Sequence, residues 1–413
     1  MRTFVAGRKS CIQFSLLQNH LFQARGRNRH FFTKSWNQTK CILWPSPGET
    51  TCLQQIREYN EYSLAKPRNI FCATTPYQQK RTVQSSSYTS MPVEQESLEW
   101  NRVVTVEQCS KNNKAKMMTF NISVLDTFPD DVEQKRGTVV ALHGFPGTGN
   151  DFESLATTLH ERGIRLIAPT SLGMTGSPII MDQLSKIDFS IEGRINTLQL
   201  ILDAINVHRI DVLLGHSAGS WAMYKIGASW ENVRCLFGIN PAGDRPNRTM
   251  RPFLFMRIIA ALLRWSFGRF IIMPFMAYSY KLLGFKGVAT DGDGMNLIAS
   301  QQYLAQLKFE DVPVNAKLIT SRRLPVLFAY ALNDKIVEPN ICSNMAYKVL
   351  GIPLENTVVY ADDKTPSSDP FFVPKGWLTR CLIFARGGHI VHLAHEKEIV
   401  EQIEDILKHL NKE

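Results

Sequence analysis

The feature that most constrains this chain is a short apolar run that ends in a glycine–serine turn and continues with a helical pattern. Residues 209–214 lead into Gly215-His216-Ser217-Ala218-Gly219, and residues 221–230 follow as a helix. Strand, Gly-X-Ser-X-Gly and helix form a nucleophile elbow, a sharp turn that needs small residues where backbone crowds backbone. The turn exposes Ser217 at the strand tip, and the helix N-terminus behind it favours developing negative charge. Because glycines and serines cluster in many turns, the rest of the chain must support this interpretation.

Strand-like and helical patterns alternate from about residue 100 onward. In Ile191, Ile195, Leu198, Leu202 and Ile205, apolar residues recur every three or four positions and predict one apolar helix face, which Ser190 caps. Strands alternating with helices predict a mostly parallel sheet, here of eight strands, with helices on both faces. The eight predicted strands are residues 100–108, 117–125, 137–142, 164–168, 209–214, 233–239, 325–331 and 378–385.

Residues 241–323 interrupt this alternation. They lie between two sheet strands and contain helix-like apolar stretches, notably residues 252–285. A segment of this length is too long for an ordinary loop, so we expect a helical lid inserted over the C-terminal edge of the sheet. Its longest run without charge, residues 270–280, contains Pro274 and falls short of the roughly 20 apolar residues of a membrane span.

A serine nucleophile needs an orienting acid, and two aspartates are candidates. Asp334 follows the strand at residues 324–332, within Asn333-Asp334-Lys335, and is the preferred acid. A carboxylate there would accept a hydrogen bond from an imidazole and hold its tautomer. Asp244, in Asn240-Pro-Ala-Gly-Asp244 at the end of the preceding sheet strand, is the alternative.

The base is predicted to be His389, in Ala385-Arg-Gly-Gly-His389. Two glycines after a strand let the loop bring the ring back over the serine. His392 and His395 follow at helical spacing and compete for the role. The three histidines lack a clustered carboxylate or thiolate partner, so the sequence predicts no metal site.

The oxyanion hole is expected from His143-Gly144-Phe145-Pro146-Gly147, directly after the first buried strand. The backbone N–H groups of Phe145 and Ala218 are the expected donors. The nucleophile, acid and base follow one another along the chain in the order Ser, Asp, His.

These motifs, taken in order, resemble the α/β-hydrolase superfamily over roughly residues 100–413. The chain is similar to the lidded branch of esterases, lipases, carbon–carbon bond hydrolases and epoxide hydrolases, and to an uncharacterised domain-of-unknown-function group within the superfamily. The resemblance implies an α/β-hydrolase fold with Ser217, Asp334 and His389 as the catalytic triad. Two features depart from it: Thr170 stands where relatives often have aspartate, and residues 362–374 form an unusual insert.

The sequence therefore predicts a serine hydrolase that cleaves an ester, thioester or related acyl bond of a small-molecule substrate without a cofactor. A serine nucleophile, in place of aspartate, argues against epoxide hydrolase and haloalkane dehalogenase chemistry. Two alternatives stay open: a non-catalytic α/β-hydrolase-like binding protein, and a carbon–carbon bond hydrolase that uses the same triad. Oligomeric state is not readable from the sequence.

The basic charge of the chain is concentrated at its start. Residues 1–48 hold eight of the 47 lysines and arginines and no acidic residue, which leaves 39 basic against 37 acidic residues elsewhere. This composition is typical of a mitochondrial transit peptide, with a cytoplasmic location as the alternative. Residues 49–99 read as a linker, in which Met91 is a possible second start. The near-neutral remainder gives nucleic-acid binding no support, and eight cysteines without a C-x-x-C pair fit a reducing compartment.

The predicted lid is also basic. Between Arg245 and Thr290 there are eight basic residues and no acidic one, interleaved with large apolar residues. If residues 252–285 form one continuous helix, Arg257 and Arg264 lie on nearly the same face. One interpretation is a lid that recognises an acyl chain and makes peripheral contact with an anionic membrane. The other is an ordinary amphipathic cap whose arginines are solvated.

Overall fold

A computed structural model of the chain describes residues 100–128, 136–282, 294–361 and 377–412. All of them belong to one compact unit, Val93–Glu413. The predicted transit peptide, linker and second start at Met91 lie outside the described residues, as does the insert at residues 362–374.

The described residues form a nine-stranded sheet in the order β1-β2-β4-β3-β5-β6-β7-β9-β8. The strands are β1 (Asn101–Ser110), β2 (Asn113–Asp126), β3 (Gly137–Leu142), β4 (Ile164–Pro169), β5 (Val212–His216), β6 (Leu236–Ile239), β7 (Val326–Ala331), β8 (Thr357–Tyr360) and β9 (Thr379–Phe384). Only the β1–β2 and β2–β4 pairs are antiparallel. The predicted mostly parallel sheet is confirmed, with one strand more than expected. The additional strand is β8, which has four residues and half-buried alternate positions at the sheet edge, and so lacks the apolar run that marked the central strands.

Helices cover both faces of the sheet, as predicted. The helices are α1 (Glu153–Glu161), α2 (Ile191–Ala204), α3 (Gly219–Ser229), α4 (Phe253–Leu262), α5 (Ser266–Leu282), α6 (Met295–Ala305), α7 (Asp311–Ser321), α8 (Pro339–Ser343), α9 (Val391–Ala394) and α10 (Glu396–Leu410). One core forms between α1, α10 and the sheet, and a second between the opposite face and α2, α3 and α7. The central strands β3, β4 and β5 are buried along their whole length, because a parallel strand between two helical layers has no solvent-facing side.

The segment at residues 241–323 contains α4, α5, α6 and α7. Helix α7 packs beside the sheet on α3, whereas α4 packs on both α5 and α6. Helix α4 ends at Leu262 and α5 begins at Ser266, so residues 252–285 do not form one continuous helix. The expectation that Arg257 and Arg264 share one face of such a helix was therefore wrong. Within the described ranges, none of the helices has the length and apolarity needed to cross a membrane.

Candidate active site

Five candidate residues follow the carboxyl ends of five parallel strands. His143 follows β3, Ser217 follows β5, Asn240 follows β6, Asp334 comes after β7, and His389 comes after β9. Because neighbouring parallel strands end at the same edge of a sheet, residues far apart in sequence meet there. The site is therefore built by the register of the sheet.

Ser217 stands at a strained turn between β5 and α3. Its φ angle is +51°, a left-handed conformation that non-glycine residues seldom adopt. Its N–H donates to the Ile239 carbonyl (3.1 Å), and its own carbonyl accepts from the Ala242 N–H (3.1 Å). A Cβ on Gly219 would lie 2.0 Å from the Leu142 carbonyl oxygen, so this position requires glycine. The small residues of the motif thus allow the backbone contacts that hold the serine in place.

The imidazole of His389 lies between Ser217 and Asp334. Its Nε2 is 3.0 Å from Ser217 Oγ, and its Nδ1 is 2.8 Å from Asp334 Oδ2. A carboxylate only accepts hydrogen bonds, so Nδ1 carries the proton and Nε2 presents a lone pair to the serine hydroxyl. The other carboxylate oxygen of Asp334 accepts from the N–H groups of Ile336 (2.7 Å) and Val337 (3.2 Å). These two bonds hold the buried carboxylate in the orientation that reaches the imidazole.

The loop that carries His389 is held by side chains from neighbouring strand ends. Gly387 and Gly388 have φ angles of +136° and +64°, which allow the backbone to turn back towards Ser217. Asn333 Oδ1 accepts from the Gly388 N–H (2.8 Å). Asn240 Nδ2 donates to the carbonyls of Gly388 (2.8 Å) and His389 (2.7 Å), and its Oδ1 accepts from the Ala331 N–H (2.9 Å). The base is thus fixed through its main chain as well as through Asp334.

The loop at residues 143–147 lies directly against the serine. A Cβ on Gly144 would be 2.9 Å from Ser217 Cβ, so the loop backbone comes as close as a glycine permits. Phe145 follows Gly144 in this loop, and Ala218 follows Ser217 as the N-cap residue of α3. Both backbone N–H groups proposed as oxyanion donors therefore belong to residues adjacent to the contact between loop and serine.

Buried side chains hold this loop in place. The Arg194 guanidinium donates to the His143 carbonyl (2.7 Å) and lies 4.8 Å from the centre of the Phe145 ring. Tyr303, on α6, stacks on the same ring at 4.6 Å. Burial lowers the pKa of Arg194 to about 10, which still leaves the group charged at neutral pH. A helix of the 241–323 segment thus reaches the loop next to Ser217.

The imidazole of His143 is neutral, and one of its ring nitrogens accepts a hydrogen bond while the other donates one. The Ser171 N–H donates to its Nε2 (2.9 Å), so its Nδ1 carries the proton and donates to the Gly144 carbonyl (2.6 Å). Burial, together with the nearby charge of Arg194, lowers the pKa of His143 to about 3. Thr170 Oγ1 accepts from the Gly149 N–H (3.0 Å) and ties the end of β4 to the turn that precedes α1.

The alternative acid and the competing histidines lie elsewhere in the network. Asp244 Oδ2 accepts from the Asn344 amide (3.1 Å). His392 Nε2 contacts the Asp151 carbonyl (3.3 Å), and burial lowers the pKa of His392 to about 4. His395 Nε2 contacts the Arg386 carbonyl (2.9 Å). Only His389, of the three histidines, contacts both Ser217 and Asp334.

No group of three or more histidine, cysteine or acidic side chains is arranged for a metal ion in the part of the chain that the structure describes. The described cysteines Cys109, Cys235, Cys342 and Cys381 are free thiols. Burial raises the pKa of Cys381 to about 12, so this thiol is protonated at neutral pH.

Arg257 and Arg264 line one open cleft of about 820 Å³ although they do not share a helix. Arg257 Nε donates to the Ala305 carbonyl (3.4 Å), and Arg264 Nε donates to Gln302 Oε1 (3.1 Å), so both hold α6. Ser217, Asp334 and His389 do not line this cleft.

Two residues of the site were not predicted from the sequence. In the sequence, Asn240 begins the segment that ends at Asp244, and Arg194 lies within the amphipathic pattern of α2. A weak signal was present for Asn240, because it directly follows the strand β6 and precedes a proline. Arg194 interrupts the buried side of α2 with a charge, and a charge in that place needs a partner.

The family model described as "Alpha/beta hydrolase of unknown function (DUF1057)" matches residues 101–364. Among solved structures, a malate-bound thermophilic esterase from Thermogutta terrifontis is similar at 16% identity and a TM-score of 0.50, covering 74% of this chain and 98% of that one. An esterase from Exiguobacterium antarcticum (15% identity; 73% and 99% covered) and an enol-lactonase from Burkholderia xenovorans (12%; 73% and 99%) each have a TM-score of 0.49. The likeness to the first shows a shared fold. Among curated proteins, none matches the chain.

Proposed function

This chain is an alpha/beta hydrolase, a member of the DUF1057 family whose model spans more than half of its length, and we propose that it is a serine hydrolase acting on acyl bonds. The observation that carries the proposal is the hydrogen-bonded row Ser217–His389–Asp334, with distances of 3.0 and 2.8 Å. The bond cleaved is an ester, a thioester or a related acyl bond.

In the proposed reaction, His389 Nε2 takes the proton of Ser217 Oγ as the oxygen attacks the carbonyl carbon of the substrate. Asp334 stabilises the imidazolium that forms and keeps Nδ1 protonated. The carbonyl oxygen becomes an oxyanion, which the N–H groups of Phe145 and Ala218 are expected to bind. Preorganised donors of this kind are each worth about 2.7–4 kcal/mol of the barrier.

Collapse of this intermediate breaks the acyl bond, and the imidazolium gives its proton to the leaving alcohol or thiol. Water then enters and gives a proton to His389 as its oxygen attacks the acyl carbon. The second oxyanion collapses, the proton returns to Ser217 Oγ, and the acid product is released. The cycle restores the serine hydroxyl and the neutral imidazole.

The substrate is proposed to carry a medium or long acyl chain. The 241–323 segment supports this choice, because Tyr303 on α6 stacks on Phe145 beside the proposed oxyanion hole and α4 packs on α6. An apolar lid above Ser217 would favour medium and long acyl chains over the acetyl group, since each buried CH₂ contributes about 0.8 kcal/mol. A lipid-like substrate would also bring the lid into peripheral contact with the membrane that holds it.

Labelling with a fluorophosphonate probe tests the proposal directly. The purified chain should be labelled, whereas Ser217→Ala should not. Ser229→Ala serves as the matched control, because Ser229 is exposed at the end of α3 and its Oγ donates to the Lys225 carbonyl (2.8 Å). Esters from acetyl to palmitoyl should then be hydrolysed with increasing kcat/KM, and Ser217→Ala should lower the turnover by orders of magnitude. Labelling that persists in Ser217→Ala would show that Ser217 is not the nucleophile.

A further inference from the structure

The outward face of α5 is apolar along its whole length. Its exposed apolar side chains recur every three or four residues and so form one stripe on the helix. Phe270 is 80% exposed and Phe275 is 65% exposed, whereas Gly268 and Met276 on the opposite side are buried. We call this stripe the α5 face. The large exposed apolar residues on it are Phe267, Phe270, Ile271, Phe275, Tyr278 and Leu282.

Exposed apolar residues also occur on α4 and in the turn before α5. Leu254, Phe255 and Ile258 are exposed on α4, and Trp265 in the turn before α5 is 69% exposed. Single exposed apolar residues are ordinary, but a group of this size within 30 residues marks an interaction surface. Trp265 is of further use because it reports on its own surroundings by fluorescence.

The charge around this surface has one sign. Residues 245–282 contain seven basic residues and no acidic one. Arg251 is paired with Glu338. Arg269 donates to the carbonyls of Leu263 (3.2 Å) and Arg264 (3.3 Å), but neither Arg269 nor Lys281, near the two ends of α5, forms an ion pair with a carboxylate of the described residues. The apolar face is therefore bordered by positive charge that no carboxylate of the described residues neutralises.

We propose that the α5 face docks onto the surface of an anionic lipid bilayer, with the helix lying in the plane of the interface. Phenylalanine, isoleucine and leucine side chains then enter the acyl region, while Arg269 and Lys281 reach anionic headgroups. The 17 residues of α5 extend about 26 Å, and Pro274 lies within them, so the helix is suited to lie on a bilayer and not to span it. Trp265 and Tyr278 are residue types enriched at the membrane interface.

A second copy of the chain fits this surface less well. In a two-fold symmetric contact centred on α5, each copy presents the same patch to its partner. The basic residues of residues 245–282 would then face those of the partner, with no acidic residue in the segment to separate them. Like charges across an interface oppose association, whereas an anionic bilayer complements them.

Quenching of Trp265 by lipid tests the contact at the predicted place. The full chain is mixed at low salt with vesicles of phosphatidylglycerol and phosphatidylcholine that carry brominated acyl chains. The fluorescence difference between wild type and Trp265→Phe reports on Trp265 alone, even if the basic N-terminal residues also bind the vesicles. We expect this difference signal to be quenched by anionic vesicles. The matched control is Trp377→Phe, because Trp377 precedes the amino end of β9 and its Nε1 donates to the Leu324 carbonyl (2.7 Å), so its difference signal should stay unquenched.

Two double variants separate the apolar and the charged contribution. Phe270→Ser with Phe275→Ser should lower the partition coefficient measured through Trp265 by about tenfold or more. Arg269→Gln with Lys281→Gln should lower it by about tenfold for anionic vesicles and leave binding to neutral vesicles unchanged. Val314→Ser with Leu318→Ser, which removes two exposed apolar side chains from α7, is the matched control and should bind as wild type does.

Docking is independent of the chemistry at Ser217, and only its link to lipid substrates rests on the proposed function. Ser217→Ala should dock as wild type does, and Phe270→Ser with Phe275→Ser should still hydrolyse a soluble short-chain ester at the wild-type rate. Absence of Trp265 quenching, or equal quenching by neutral vesicles, would overturn the proposal. It would equally be overturned if light scattering showed a dimer that this phenylalanine double variant dissolves, because the α5 face would then be an interface between copies.

Discussion

Asn240 donates its side-chain amide to the main-chain carbonyl of His389, with an N···O distance of 2.7 Å. The same amide group also donates to Gly388, and its oxygen accepts from Ala331. One side chain therefore links the ends of β6 and β7 to the loop that carries the imidazole. Its own φ angle of +39° is a left-handed conformation that asparagine tolerates better than most residues. We infer that Asn240 is a positioning residue, which acts through His389.

Asn240→Ala should reduce kcat for a soluble ester by about tenfold or more and leave KM nearly unchanged, because the loss of support acts on the position of the general base His389 and not on substrate binding. The loss of buried hydrogen bonds should also cost about 1–3 kcal/mol of the free energy of unfolding. Asn232→Ala is the matched control, since Asn232 donates to the His208 carbonyl on an exposed loop. A variant that is destabilised but retains the wild-type kcat would show that Asn240 has only a structural role.

Asp334→Asn should lower kcat by several orders of magnitude. An amide that donates to Nδ1 favours the tautomer protonated at Nε2, and that tautomer presents no lone pair to the serine hydroxyl. Asp244→Asn should change kcat by less than about threefold, since Asp244 binds Asn344 and not the imidazole. The comparison uses steady-state hydrolysis and the rate of fluorophosphonate labelling. If the second variant were inactive and the first active, the assignment of the acid would be wrong.

Asp151→Asn is expected to stabilise the protein at alkaline pH. Burial raises the pKa of Asp151 to about 6, against the small opposing contribution of its hydrogen bond from the Thr148 N–H. The protonated form is thus favoured in the folded state, and this contribution to stability is present below about pH 4 and is lost as the pH rises through 6. Removing the charge should raise the free energy of unfolding at pH 8 by about 1–2 kcal/mol and have little effect at pH 4.

Denaturant unfolding of the wild type and of Asp151→Asn at pH 4 and pH 8 measures the difference in their free energies of unfolding. Asp182→Asn is the control of opposite sign, because a hydrogen bond from Lys186 lowers the pKa of Asp182. A gain in stability for Asp151→Asn that is equal at both pH values would contradict the titration of this carboxyl.

The basic, acid-free start of the chain predicts a mitochondrial address. A fusion of residues 1–90 to a fluorescent protein should enter mitochondria, and a chain that begins at Met91 should stay in the cytoplasm. The measurement is colocalisation with a mitochondrial marker. Diffuse fluorescence from both proteins would refute the transit peptide and favour the cytoplasmic alternative.

Short-range sequence patterns determined the strands, one helix cap and the order of the catalytic motifs. The alternation of apolar runs and helical periods predicted eight of the nine strands. Six of these are buried along their whole length, and a strand buried on both faces tolerates few polar residues. The predicted cap at Ser190 is present, with its Oγ accepting from the Gly193 N–H (3.2 Å), since a cap needs only neighbours three residues away. The order of the motifs likewise placed Ser217, Asp334 and His389 at strand ends.

Only the tertiary structure decided which of several similar residues meet. Asp334 and Asp244 both follow strands, yet only Asp334 reaches His389, because two backbone N–H groups turn its carboxylate that way. The supporting roles of Asn240 and Arg194 depend on partners more than 50 residues away, and no local pattern encodes such contacts. The break between α4 and α5 separates Arg257 from Arg264 along the chain, while packing on α6 brings both to one cleft. Periodicity reports which side of an element is buried, whereas the sheet register and the packing of helices decide what that side touches.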